Sequence, residues 1–185
     1  MNVFDYFFNE KQYLEKDFVL GPKETISYRK LYSNSIQFAA YLKERIGTNK
    51  NIILICPNSV FFITTYLGIL KSGNTCIPLN YAIEQENLNY ILKITDSPIV
   101  IRPNGLSSKF KIDGSASIID EDVLTKITNI EIDTIFKLDF DSNKIGEIIF
   151  TSGSTGKPKG VMISHKNIMA NTDSIIQYLK LTPND

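Results

Sequence analysis

Tryptophan is absent from the 185 residues, histidine occurs once and cysteine twice. Neither Cys56 nor Cys76 has a second Cys or a His at metal-ligand spacing, which argues against a thiolate metal centre. Both lie in apolar stretches, so the expectation is two buried, reduced thiols rather than a disulfide. An excess of charge of either sign is also missing: 20 Lys plus Arg balance 20 Asp plus Glu. No global basic field exists to gather nucleic acid or an anionic membrane surface, and neither is expected as a partner. The first dozen residues mix Phe4, Phe7 and Phe8 with Asp5 and Glu10 and show no basic start and no small-residue cleavage site, as expected of a cytoplasmic protein. An uninterrupted membrane span is lacking too. Residues 52–70 carry no charge, close to a spanning length. Pro57-Asn58-Ser59 divides that run: Pro57 keeps Cys56 extended, and Asn58 or Ser59 caps a helix in its second half.

What remains is the composition of one globular domain, 43% hydrophobic and 22% charged. From Ile26 the pattern alternates. Ser27 caps a helix from Tyr28 to about Arg45, with Leu31, Phe38 and Leu42 near one face and Gly47 as terminator. A buried strand comes next, over 52–56. A helix over 59–71 has little polar face and is expected inside the protein. A strand over 75–79, a helix over 84–95 with Leu88, Ile91 and Leu92 on one side, and a strand over 98–102 complete the series. Strands and helices alternating in units of this size imply parallel pairing with right-handed crossovers. The expected fold class is therefore α/β, a layered, mostly parallel sheet with crossover helices. Residues 103–143 are less regular, with apolar runs at 118–119 and 132–140. Nine acids against three lysines over 113–147 read as a solvated connecting surface.

A strand over 147–150 then runs into Thr151-Ser152-Gly153-Ser154-Thr155-Gly156-Lys157-Pro158-Lys159-Gly160. Its glycines permit close backbone approach, four hydroxyls can donate hydrogen bonds, and two lysines add positive charge, a set suited to a polyanion. Gly156-Lys157 invites comparison with the phosphate loop of nucleoside triphosphatases. The comparison fails because Thr151 stands where the first glycine belongs and Pro158 where the metal-binding hydroxyl belongs. Pro158 also disfavours a helical Lys157, and Val161-Met162-Ile163 is strand-like. The loop therefore joins two strands, and the next helix starts at Ser164, with Ile168, Thr172, Ile175, Ile176 and Leu179 on one face. His165, in its first turn, has no Ser or Cys nucleophile and no acid assignable around it, so it is not expected to be catalytic.

Phe-Thr-Ser-Gly-Ser-Thr-Gly-Lys-Pro-Lys-Gly-Val at 150–161, with Ser164-His165-Lys166-Asn167 after it, resembles the signature of the AMP-forming adenylating enzymes. These include acyl-CoA synthetases, adenylation domains of nonribosomal peptide synthetases, and luciferases. Ile26-Ser27-Tyr28-Arg29-Lys30-Leu31 is similar to the Thr-Tyr-x-Glu-Leu helix start of that superfamily, with Lys30 in place of the usual acid. Residues 70–80, containing Gly73 and Pro78-Leu79-Asn80, resemble its Leu-Lys-Ala-Gly-x-x-x-x-Pro-Leu segment. The resemblance implies that the loop grips the β and γ phosphates of ATP while a small-molecule carboxylic acid attacks the α-phosphorus, before the acyl group passes to the thiol of CoA or of a carrier protein. On this basis Thr151, Ser152, Ser154 and Thr155 offer hydroxyls, and Gly153 and Gly156 bring backbone N–H groups close. Lys159 neutralises the leaving pyrophosphate, and Lys157 lies at the solvent side of the same candidate nucleotide-binding set. The superfamily's Tyr-Gly-x-Thr-Glu segment, whose acid holds Mg²⁺, and its ribose-binding Thr-Gly-Asp are not among these residues. The resemblance thus implies the N-terminal portion of such a domain over 1–185, a truncated chain or half of a split enzyme, inactive alone. A complementary C-terminal chain or self-association is the expected partner. An acyl-CoA synthetase is favoured because Asn80-Tyr81 replaces the Asp-Pro of many peptide-synthetase domains. The alternatives are an amino-acid-activating domain and a non-catalytic module that binds nucleotide or a partner.

Overall fold

A computed structural model describes residues 1–21, 24–112, 116–129, 140–151 and 157–182. The chain opens with a short helix, α1 (Val3–Phe7), and then an antiparallel pair, β1 (Asp17–Gly21) and β2 (Glu24–Ser27). Helix α2 (Tyr28–Ile46) starts at Ser27, whose side chain accepts the Lys30 N–H, and stops at Gly47, whose φ of 76° suits a residue without a Cβ. Then come β3 (Asn51–Ile55), α3 (Val60–Lys71), β4 (Thr75–Leu79), α4 (Gln85–Thr95) and β5 (Ile99–Ile101). Ser59 caps α3 by accepting from Phe62 N–H, so the charge-free run is a strand and a helix as expected. Among the described residues no helix is long and apolar enough to cross a membrane.

The remaining elements are β6 (Ser117–Ile119), α5 (Glu121–Thr128), β7 (Ile145–Thr151), β8 (Lys159–Ser164) and α6 (His165–Leu179). Six strands form one sheet in the order β6-β5-β3-β4-β7-β8, all neighbours parallel except the β7–β8 pair. Strand β3 lies inside the sheet, and Ile52, Ile53, Leu54 and Ile55 are fully buried, as a strand covered on both faces requires. Ile52 and Leu54 pack with Phe38 and Leu42 of α2 and Ile69 and Leu70 of α3. Ile53 and Ile55 point the other way, against Leu88 and Ile91 of α4. An outer cluster of Phe4, Phe8, Ile26, Leu31 and Leu67 docks α1, and Lys71, only 7% exposed, is neutralised by Asp5 at 2.6 Å.

The acidic stretch differs from its expectation as mere connecting surface. Asp120 caps α5 by accepting from Val123 N–H, and Glu121 and Asp122 sit in the first turn, where the helix dipole favours them. Leu124 and Ile127 of the same helix are buried in the main core. The apolar run over 132–140 lies, apart from Phe140, outside the described residues. The apolar face expected on α6 is only partly used. Ile168 and Met169 pack on the core, whereas Ile175, Ile176 and Leu179 remain exposed.

Candidate functional site

Because β3 to β7 run parallel, their carboxyl ends share one edge of the sheet. Helix α3, leaving β3, packs on one face, and α4, leaving β4, packs on the other. Helices diverging to opposite faces open a crevice at the carboxyl ends of the strands between them, the usual ligand position in open α/β sheets. The neighbour of β4 on its outer side is β7, and β7 ends at Thr151, where the polar loop begins. The fold thus delivers the loop to the crevice edge. Thr151, Lys157 and Lys159 of the candidate set are described; Ser152, Gly153, Ser154, Thr155 and Gly156 lie outside the described residues.

The loop joins two strands, as expected from Pro158 and the strand-like Val161-Met162-Ile163. Thr151 opposes Lys159, Phe150 opposes Gly160, and Ile148 opposes Met162 in an antiparallel ladder. Thr151 Oγ1 donates to the Lys159 carbonyl at 3.4 Å. Gly160 is needed at its position: a Cβ there would stand 2.8 Å from Ile148 Cγ2 and 3.2 Å from Phe150 Cζ. The inner attachment is sparser. Among the described residues β7 is in register with β4 only at Cys76–Glu147, two residues before Pro78, which has no N–H to give.

Both loop lysines are exposed. Lys159 makes no ion pair among the described residues, so its charge is free for a ligand. Lys157 is exposed, with its Nζ 5.6 Å from the centroid of the Tyr90 ring on α4. Beneath the hairpin, the Tyr66 hydroxyl donates to Glu147 Oε2 at 3.0 Å. Burial raises the Glu147 carboxyl above its usual range, while the Tyr66 hydrogen bond opposes that shift. Cys76, fully buried beside Glu147, and Cys56 are free thiols whose burial holds them protonated, so neither is a ready nucleophile. No sequence period marks Tyr66, Tyr90 or Glu147, because their pairings exist only once the strands and helices are assembled.

The lone histidine sits at the far side of the sheet. Ser164 opposes Ile145 at the amino end of β7, so His165 is separated from the loop by six residues of strand, about 20 Å. It is 1% exposed, its Nδ1 accepts the Val3 N–H at 3.3 Å, and the Phe140 ring meets it edge-on. Its role is to hold the chain start against α6. Among the described residues no group of three His, Cys, Asp or Glu side chains is placed to hold a metal ion.

Residues 8–185 match the sequence profile of a family described as AMP-binding enzyme. The chain is 35% identical over 152 residues, 82% of its length, to gramicidin S synthase 2 of Brevibacillus brevis, of which that stretch is 3%. It is 29% identical over 173 residues to surfactin synthase subunit 1 of Bacillus subtilis, covering 92% of this chain and 5% of that protein. Among solved structures, ATP-bound MatB from Rhodopseudomonas palustris superposes with a TM-score of 0.83 at 23% identity, covering 99% of this chain and 39% of that one. The nonribosomal peptide synthetase FmoA3 superposes with a TM-score of 0.86 at 15% identity, covering 99% of this chain and 19% of that one. These structural likenesses establish the shared layered α/β fold.

Proposed function

Since the chain belongs to the AMP-binding enzyme family, we propose that it supplies the polyphosphate-binding part of an adenylating enzyme. In this reading a carboxylate oxygen attacks the α-phosphorus of ATP, the bond to the β-phosphate oxygen breaks, and pyrophosphate leaves. A thiol of CoA or of a carrier protein then attacks the acyl carbon and AMP departs. The observation that carries the reading is that β7 brings Thr151, where the polar stretch starts, to the carboxyl edge of the sheet, with Lys159 opposite it and its cation without an ion-pair partner among the described residues. Lys159 neutralises charge on the leaving pyrophosphate, and the hydroxyls and backbone N–H groups of residues 151–156 surround its oxygens. Residues 1–185 form the N-terminal portion of the adenylation domain. The ribose and metal ligands come from outside this set, so the chain alone does not adenylate. The exposed apolar side chains of Val161, Met162, Ile175 and Leu179 support a complementary C-terminal chain or self-association. The two free thiols support a cytoplasmic setting.

For the acid, the curated relatives, among them gramicidin S synthase 2 and surfactin synthase subunit 1, support an amino acid and a carrier thiol. Asn80-Tyr81 after Pro78-Leu79 favours the second reading, an acyl-CoA synthetase-like acid and CoA. Calorimetric titration of the chain tests the common core. ATP and pyrophosphate are expected to bind and AMP to bind poorly, with affinity falling as salt rises. Lys159→Ala weakens pyrophosphate by about 1.5–3 kcal/mol, the worth of a charge-assisted hydrogen bond, and Lys157→Ala by much less. AMP binding as tightly as ATP, or equal losses for the two lysines, overturns the clamp. Carboxylate-dependent ATP–pyrophosphate exchange by the chain alone overturns its assigned inactivity.

A further inference from the structure

The two lysines of the loop stand in different surroundings. Lys159 lies within β8 and has no ion-pair partner among the described residues, whereas Lys157 Nζ sits 5.6 Å from the centre of the Tyr90 ring. That ring belongs to α4, a regular helix whose Leu88 and Ile91 are fully buried. Tyr90 is itself half-buried against the same cluster that receives Ile148 and Phe150 of β7. The side chain therefore stands on a rigid base beside the hairpin. On the other partner, Pro158 disfavours a helical backbone at Lys157 and limits the directions its side chain can take. A cation within about 6 Å of a ring centroid is attracted by the negative face of the ring, and the attraction persists in water because little desolvation is needed. An ammonium held there is drawn towards α4.

We propose that Tyr90 and Lys157 form a latch: the ring holds the ammonium, ties the returning limb of the loop to α4, and makes Lys157 a positioning residue rather than a phosphate ligand. The proposal rests on the reading of the loop as a polyphosphate clamp only for its consequence in binding. The latch itself is a property of the free chain.

The test is a double-variant cycle on the whole chain with two readouts, using Tyr90→Leu, Tyr90→Phe, Lys157→Ala and Tyr90→Leu with Lys157→Ala. The first readout is the rate of tryptic cleavage after Lys159 without nucleotide. Lys157–Pro158 resists trypsin, so removing Lys157 deletes no competing site in the loop. Tyr90→Leu and Lys157→Ala should each speed that cleavage by about two- to five-fold, the range for an exposed cation–π contact. The double variant should be no faster than either single, and Tyr90→Phe should match wild type. Should Tyr90→Leu loosen α4, cleavage at every site rises, and the surface variant Lys157→Ala with the Tyr90→Phe control still decides. The second readout is the dissociation constant for inorganic pyrophosphate, expected to rise by a similar small factor in both single variants without adding in the double. Additive effects, a Tyr90→Phe rate equal to that of Tyr90→Leu, or a pyrophosphate loss confined to Lys157→Ala would overturn the latch. Failure of the wild-type chain to bind pyrophosphate would instead overturn the clamp, while the cleavage coupling would still judge the latch.

Discussion

Acidification should release the start of the chain from α6 through one buried imidazole. Val3 N–H donates to Nδ1 of His165, so the ring hydrogen is on Nε2, and Phe140 closes the site edge-on with ring centres 4.5 Å apart. Gly146 makes room for the ring; a Cβ there would stand 3.3 Å from it. Burial, helped by the N-terminal ammonium, pulls the imidazole down from 6.5 to about 4. Protonation would put an N–H on Nδ1 facing the Val3 N–H and leave both without an acceptor. Between those two values the unfolded chain binds a proton that the folded chain refuses. Stability therefore rises with pH across the window and is lost as pH falls from 6.5 towards 4. The interval corresponds to about 3 kcal/mol at roughly 1.4 kcal/mol per pH unit, and screening near the chain start reduces this to about 2 kcal/mol. Urea unfolding at half-unit steps from about pH 4.5 to 7.5, on wild type and His165→Gln, reads it directly. The glutamine keeps an acceptor for Val3 and cannot titrate, so the difference between the two curves isolates the imidazole. Parallel curves would refute the reasoning, because every other titrating group is common to both proteins.

Glu147 should give the opposite slope: its carboxyl is raised by burial, so the folded state holds the proton more tightly and stability declines as pH rises through the carboxylate range. Glu147→Gln, still able to accept from Tyr66, should remove that decline and be the more stable protein at neutral pH, measured by the same unfolding series. Gly68→Ala should destabilise by about 1–2 kcal/mol despite better helix propensity, because the new Cβ would meet Phe38 Cδ1 at 2.7 Å and the Ser35 carbonyl at 3.1 Å, where α2 and α3 cross; an unchanged urea midpoint would count against that packing. Gly160→Ala should displace Ile148, whose Cγ2 the new Cβ would meet at 2.8 Å, and crowd Phe150 at 3.2 Å, costing about 1–3 kcal/mol and weakening pyrophosphate binding together, and a loss in only one of the two measurements would separate the hairpin from the loop it carries.

Much of this fold is legible in local chemistry. Ser27, Ser59 and Ser164 each cap the helix expected of them, and β4 occupies the residues its pattern predicts. Helix α1, at five residues, is too short to show a period, and it is held by tertiary contacts such as Lys71–Asp5 and the Tyr6 hydroxyl on Asp173. Helix α5 hides within an acidic run because its acids serve as cap and first turn, which composition alone reads as solvated surface. The loop is legible as a polyanion site from its glycines, hydroxyls and lysines. The difference between Lys157 and Lys159 is only half legible: Pro158 hints at it, but Tyr90 is distant in sequence and arrives only when α4 packs beside β7.

Among the described residues the hairpin of β7 and β8 is tied to β4 at its base, by the registered pair Cys76–Glu147 and by the Thr75 hydroxyl donating to the Ile145 carbonyl, with Pro78 withholding a donor further out. It is therefore a cantilever, fixed at one end and braced along its length mainly by Ile148 and Phe150 against the cluster under α4. A load applied at its tip, such as a bound polyphosphate, would be felt along the whole arm. Amide exchange should report this as a single cooperative slowing of residues 148–151 and 159–163, while β3, clamped by neighbours on both sides, exchanges at its own unaltered rate.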